Sequence, residues 1–117
     1  VKPPALTRLL TLERPVSTPD GGGGATVGWE PMGAIWAEVL PRRGAERLID
    51  EAARGSVVTH RIRTRWSPHG APSRPAAAHR LRDGDRAYAV AAVTEADPHN
   101  AYLLIWATEG PAQGIGS

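Results

Sequence analysis

Val58-Thr59-His60-Arg61-Ile62-Arg63-Thr64-Arg65-Trp66 alternates more cleanly than any other part of the chain. In an extended strand, successive side chains point to opposite faces. Val58, His60, Ile62, Thr64 and Trp66 therefore share one face, and Val57, Thr59, Arg61, Arg63 and Arg65 share the other. A helix, with its period of 3.6, would scatter both sets. The spacing predicts a strand over 57–66 whose first face meets a core, and the rest of the chain reads outward from it.

Upstream, Gly33 to Leu40 places Ile35, Ala37 and Val39 on one face and Trp36, Glu38 and Leu40 on the other. Trp36 is too apolar for an open solvent face, so it is expected to meet the helix or a neighbouring subunit. Ala25 to Glu30 reads as a separate strand before Pro31, with Trp29 as its large apolar residue. Leu9 to Arg14 reads as the first strand, ended by Pro15, which has no N–H for a ladder. Between them, Thr18-Pro19-Asp20-Gly21-Gly22-Gly23-Gly24 reads as the tip of a long β-hairpin. After Leu40, Pro41-Arg42-Arg43-Gly44 breaks the pattern. Ala45, Leu48, Ile49 and Ala52 then recur at helical spacing, with Glu46, Arg47, Asp50, Glu51 and Arg54 opposite them. This predicts a short amphipathic helix ending at Gly55.

Downstream, Ser67 to Pro75 is rich in proline and reads as a loop, and Ala76 to Arg82 as the next strand. Asp83-Gly84 is a two-residue turn signal, and Arg86 to Val93 the returning strand, with Tyr88, Val90 and Ala92 on one face. Asp97-Pro98 marks another turn before a last strand, Ala101 to Thr108. The sum is a mainly β protein: a small antiparallel barrel or sandwich of six or seven strands, with one short helix inserted between strands 3 and 4. Residues 1–8 are expected to form an extended arm, 9–109 one β-barrel domain, and 110–117 a flexible tail.

The 117 residues leave room for one domain with a modest core. The absence of cysteine excludes a disulfide framework, a thiolate metal site and a cysteine nucleophile. The sequence contains no apolar run long enough for a transmembrane helix, and Val1-Lys2-Pro3-Pro4 lacks a signal-peptide core, so no membrane association and synthesis in the cytoplasm are expected. The formal charge is +2, carried by thirteen Arg and one Lys against twelve acids, too near neutral to indicate a nucleic-acid binder by itself.

The sequence carries few signals of chemistry. His60, His69, His79 and His99 show no metal-ligand spacing. Gly21 to Gly24 lacks the Lys-Ser/Thr of a phosphate loop, and there is no Gly-x-Ser-x-Gly elbow. Asp83 and Asp85 flank a turn glycine and read as turn chemistry. No catalytic residue, cofactor or metal site is expected, and the protein is not read as an enzyme. Arg61, Arg63 and Arg65 project from one face, about 6.6–7 Å apart along the strand. They form either a solvated face paired with acids or a basic surface that meets a protein or passing DNA, which a ring would multiply into a belt.

The order of these pieces resembles the head–tail joining family of the tailed bacteriophages. Leu9-Leu10-Thr11-Leu12-Glu13-Arg14-Pro15 resembles the family's first strand, which precedes a Gly-rich, acidic hairpin tip. Val27-Gly28-Trp29-Glu30 followed by Ile35-Trp36-Ala37-Glu38-Val39 is similar to its paired-tryptophan signature. The Gly44 to Ala53 helix is similar to its helical insertion. The Thr59-His60 strand through Trp66, the hairpin around Asp83-Gly84 and Tyr88, and Asp97-Pro98 through Trp106 resemble its remaining strands. The likeness runs from Leu9 to Glu109. A longer Ser67 to His79 segment, and alanine at Ala89, Ala91 and Ala92, depart from the pattern.

The resemblance implies a structural connector, called a head-closure or stopper protein, of a phage or gene transfer agent. Such proteins form sixfold or twelvefold rings between the portal with its adaptor and the tail. They seal the DNA channel and give the tail a docking platform. The implied partners are further copies of the chain, an adaptor or portal-side protein above, and a tail terminator or tail tube below. Non-specific contact with double-stranded DNA in the channel is also implied. The implied place is the neck of the particle, after assembly in the bacterial cytoplasm. Candidate surfaces are the row Arg61, Arg63, Arg65 toward the channel, and Trp36, Arg42, Arg43 and Gly21, Gly22, Gly23 and Gly24 toward neighbours. A channel gate would be sought at Ser67 to Ala78 or at the glycine tip. The alternatives are a tail terminator or other neck ring protein, and a single-stranded nucleic-acid-binding barrel. The second is disfavoured because the Arg row and Trp66 lie on opposite faces.

Overall fold

The computed structural model describes residues 5–41, 58–96 and 98–111. Its regular elements are all strands: β1 (Arg8–Pro19), β2 (Ala25–Pro41), β3 (His60–Arg65), β4 (Arg80–Asp83), β5 (Arg86–Glu95) and β6 (Tyr102–Pro111). Every pairing is antiparallel, and the sheet closes on itself in the order β1-β2-β3-β6-β5-β4. Closure pairs both sides of each strand within the barrel and removes the open edges that invite aggregation.

The alternation that defined the sequence reading decides what lies inside. Ile62 and Thr64 of β3 are buried, and Val58 is buried just before it. The core is Leu10, Leu12, Ala37, Ile62, Leu81, Tyr88, Val90, Ile105 and Ala107, with Ile35 and Val39 packed against it. Phenylalanine is absent from the chain, and Tyr88 supplies the largest fully buried side chain.

The first two strands are longer than the sequence suggests. β1 passes through Pro15, and β2 runs unbroken through Pro31, so the expected strands 25–30 and 33–40 are one. The ladder explains why proline is tolerated. The Asp20 N–H donates to the Gly24 carbonyl at 3.2 Å. Antiparallel pairs alternate between bonded and non-bonded. Thr18–Thr26, Val16–Gly28 and Arg14–Glu30 are then bonded pairs, whereas Pro19–Ala25, Pro15–Trp29 and Glu13–Pro31 are not. All three prolines turn their nitrogens away from the hairpin partner. They cost the ladder nothing, and they blunt the outer edges of a two-stranded ribbon that extends beyond the barrel.

Where ribbon meets barrel, the register shifts between Leu12 and Glu13, leaving Met32 as the extra residue of a β-bulge beside Gly33, whose φ is 143°. That backbone favours glycine and bends the strand. With the ribbon, the molecule measures 54 × 30 × 25 Å.

β4 is shorter than the expected 76–82 strand. Ala78 takes the left-handed conformation, φ 76°, and the His79 N–H closes a turn onto Ala76 at 3.0 Å. The strand therefore starts at Arg80. The expected helix, together with Arg42 and Arg43, lies outside the described residues.

Candidate assembly surface

Side chains on the outer face of β1 follow from Leu10 and Leu12 pointing inward. Leu9, Thr11, Glu13, Pro15, Ser17 and Pro19 point outward, opposite Trp36, Ala34, Pro31, Trp29, Val27 and Ala25 of β2. This face runs from the barrel to the hairpin tip, and its only charged residue is Glu13. Trp36 is 54% exposed, Leu9 52% and Val27 37%. Leu9 and Trp36 are direct cross-strand partners, so they form one apolar patch. The opposite face of the ribbon is polar, with an Arg14–Glu30 ion pair and a Thr18–Thr26 pair. The ribbon is amphipathic although it has no core of its own.

Glu13 is on the outer face yet only 5% exposed, and Arg80 opposite it on β4 is 6% exposed. The Arg80 Nε–H donates to Glu13 Oε1 at 2.6 Å. The Trp29 ring covers the guanidinium, with Arg80 Cζ 4.3 Å from its centroid. Arg82 approaches the other Glu13 oxygen at 3.9 Å. A buried pair needs close geometry to offset desolvation, and a cation stacked on an indole adds to it. Glu13, Trp29 and Arg80, distant in sequence, tie the ribbon's root to β4. Nothing in the sequence signals this pairing, because Glu13 and Arg80 lie 67 residues apart and meet only when β4 comes beside β1.

The glycine tip is organised by one side chain. Asp20 Oδ1 accepts the N–H of Gly22 at 2.8 Å and of Gly24 at 3.2 Å. Gly21 and Gly23 hold φ of 85° and 87°, which an L side chain rarely adopts. Asp20 was passed over in the sequence; its ability to accept backbone N–H groups in a turn was the available signal.

The Ser67 to Pro75 loop is packed. Arg74 is buried and donates to the Ser67 carbonyl at 3.0 Å, and Ser67 and Ser73 bond through their hydroxyls at 3.1 Å. Between this loop and β2 lie two adjoining hollows, one lined by Leu12, Met32 and Pro72 and the other, a groove, by Trp36, Arg65 and Trp66, with Ile35 and Ser73 common to both. The Trp66 Nε1–H donates to Glu95 at 2.7 Å, which leaves its ring as a wall of the groove.

The arginine row lies on the outside of the barrel, as its alternation implies. Arg65 is exposed, whereas Arg61 and Arg63 are half-buried and Arg63 lies 3.5 Å from Glu38. The row therefore offers solvent less positive charge than the sequence suggests. His60 stacks edge-on against Tyr88, with ring centroids 5.2 Å apart, and faces Glu109 at 3.6 Å. Burial pushes the imidazole below its ordinary range, outweighing the pull of Glu109 in the other direction. The Arg86 guanidinium, hydrogen-bonded to Glu109, holds that carboxyl below its usual range. Among the described residues, no group of three His, Asp or Glu side chains is placed to hold a metal ion.

The described residues thus form a closed barrel from which a tethered, amphipathic ribbon projects. The family model of the phage head completion protein matches residues 1–110, and the chain belongs to that family. It is also similar to a chain in the solved virion of a native gene transfer agent particle: 33% identical, TM-score 0.68, covering 94% of this chain and 98% of that one. No curated protein matches. The chain thus has a structural head-completion, head–tail connector role in a phage or phage-like particle.

Proposed function

We propose that the protein forms a ring at the neck of the particle, between the portal with its adaptor and the tail. The ring closes the filled head and receives the tail. It acts as a structural part and not as an enzyme. The observation that carries this reading is the likeness, over nearly the whole of both chains, to a chain of a gene transfer agent virion. The amphipathic ribbon supports it, since an exposed apolar strip of this kind marks a contact surface. Assembly in the cytoplasm, an adaptor above and a tail protein below complete the proposal. Of the arginine row, Arg65 is the member best placed to touch a partner or DNA. The glycine tip and the 67–78 loop are the segments proposed to approach the channel.

Immunogold electron microscopy of purified particles tests the position. Label at the head–tail junction, together with heads that lose DNA when the chain is deleted, is the expected result. Label on the capsid shell or the tail tip would overturn it.

A further inference from the structure

Most described arginines have an acid at hand. Arg8, Arg14, Arg63, Arg80, Arg82 and Arg86 each form an ion pair. Among the described residues, Arg65 and Arg74 have no acid partner. The two belong to one corner of the fold. β3 stops at Arg65, so Trp66 escapes the alternation that would send it to the other face, and both side chains line one groove with Trp36, Ser67 and Ser73. Arg74 follows Ser73 in the chain. It is 8% exposed, and its hydrogen bond runs to the Ser67 carbonyl at 3.0 Å. A carbonyl neutralises no charge, and a guanidinium held out of water without a counter-charge is costly. Even with Glu95 counted, which accepts the Trp66 Nε1–H, two cations stand against one carboxylate.

One further carboxylate completes that balance, and Arg65 can take it with two parallel N–H donors. The walls beside it, Ile35, Trp36 and Trp66, suit an apolar neighbour of the acid. Duplex DNA fits less well, because its phosphates call for a row of open cations, whereas Arg61 and Arg63 are half-buried and Arg63 already faces Glu38. A second copy offers little either. Ion pairs, the Trp66 indole or the tip amides engage every described acid except Asp85, which sits in the β4–β5 turn between Gly84 and Arg86. We propose that the Trp36–Arg65–Trp66 groove binds an acidic loop or arm of a different particle protein. One Asp or Glu meets Arg65, Arg74 adds its charge from behind, and the adjoining apolar residue lies against the two indoles. The inference rests on the head-completion reading and names the chemistry of one partner contact within it.

Lys2 is the only lysine in the chain, which makes the test direct. Lys2→Arg combined with Arg65→Lys leaves a single lysine amine, at the groove. Particles carrying this double variant are treated with a carbodiimide, which condenses an amine with a carboxylate held against it. The expected product, read by mass spectrometry, is an amide to an Asp or Glu of another particle protein, directly beside an apolar residue. Lys2→Arg alone, which keeps the N-terminal amine, should not form it. Coupling to a second copy, or none from assembled particles, overturns the proposal. The isolated full chain gives a second reading. A capped peptide with Asp beside Leu should shift tryptophan emission in the millimolar range, and either the Asp→Asn peptide or the Arg65→Gln chain should bind roughly fivefold more weakly. Equal binding, no binding, or preference for a single-stranded oligonucleotide overturns the proposal too. If these fail while the wild-type chain still sits in the neck, only this inference falls. If the wild-type chain is missing from particles, the head-completion reading falls.

Discussion

Replacing Arg80 with methionine removes the cation from a buried pair and keeps an unbranched side chain under Trp29. Glu13 and Arg80 side chains are both 7% exposed and meet at 2.6 Å, so the surface-bridge value of about 0–1 kcal/mol does not apply. Stranding one member of a buried pair costs about 3–5 kcal/mol. Arg82, at 3.9 Å, can rotate toward the orphaned carboxylate and pulls the cost to the lower end. The expected loss is about 3 kcal/mol from a domain whose total is of order 5–10 kcal/mol. With a urea slope of about 1–2 kcal/mol per M, the midpoint falls by roughly 2 M. Tryptophan fluorescence during urea unfolding measures it, because Trp29 lies on the guanidinium. The double variant Glu13→Leu/Arg80→Met should recover to within about 1 kcal/mol of the wild type, since an apolar pair needs no compensating charge. An Arg80→Met variant within about 0.5 kcal/mol of the wild type, or a double variant no better than the single, would refute the reasoning.

Other outcomes follow from single sites. Leu10→Ala opens a cavity in the fully buried core and should cost about 2–5 kcal/mol by urea unfolding. Ala78→Gly should raise the midpoint by about 1 kcal/mol equivalent, because Ala78 holds a left-handed φ of 76°. His60 has a lowered pKa, so the folded state binds its proton less readily than the unfolded chain. Its contribution is therefore present above the ordinary histidine range near pH 6.5 and is lost as pH falls below it. The urea midpoint of the wild type should drop between pH 7.5 and pH 5.5 more than that of His60→Asn; equal slopes would remove His60 as the cause.

The strand pattern was legible because its cause is local. Alternation in residues 58–66 placed Ile62 and Thr64 inside and Arg61, Arg63 and Arg65 outside, and Asp83-Gly84 marked its hairpin, with Gly84 at φ 62°. Absence of cysteine and of catalytic motifs was likewise a property of the one-dimensional chain. The ordered set of strand motifs was enough to indicate the family.

Tertiary structure decided the rest. A proline breaks a ladder only if its nitrogen faces a partner, and register alone determined that Pro15 and Pro31 face outward. Whether Trp29 caps a core or a cation depended on β4 arriving beside β1, 67 residues from Glu13 to Arg80. The amphipathic ribbon emerged the same way, since a face is shared between two strands and is written in neither of them alone. Side-chain periodicity is short-ranged and survives in sequence, whereas pairing partners and burial are set by long-range closure of the barrel.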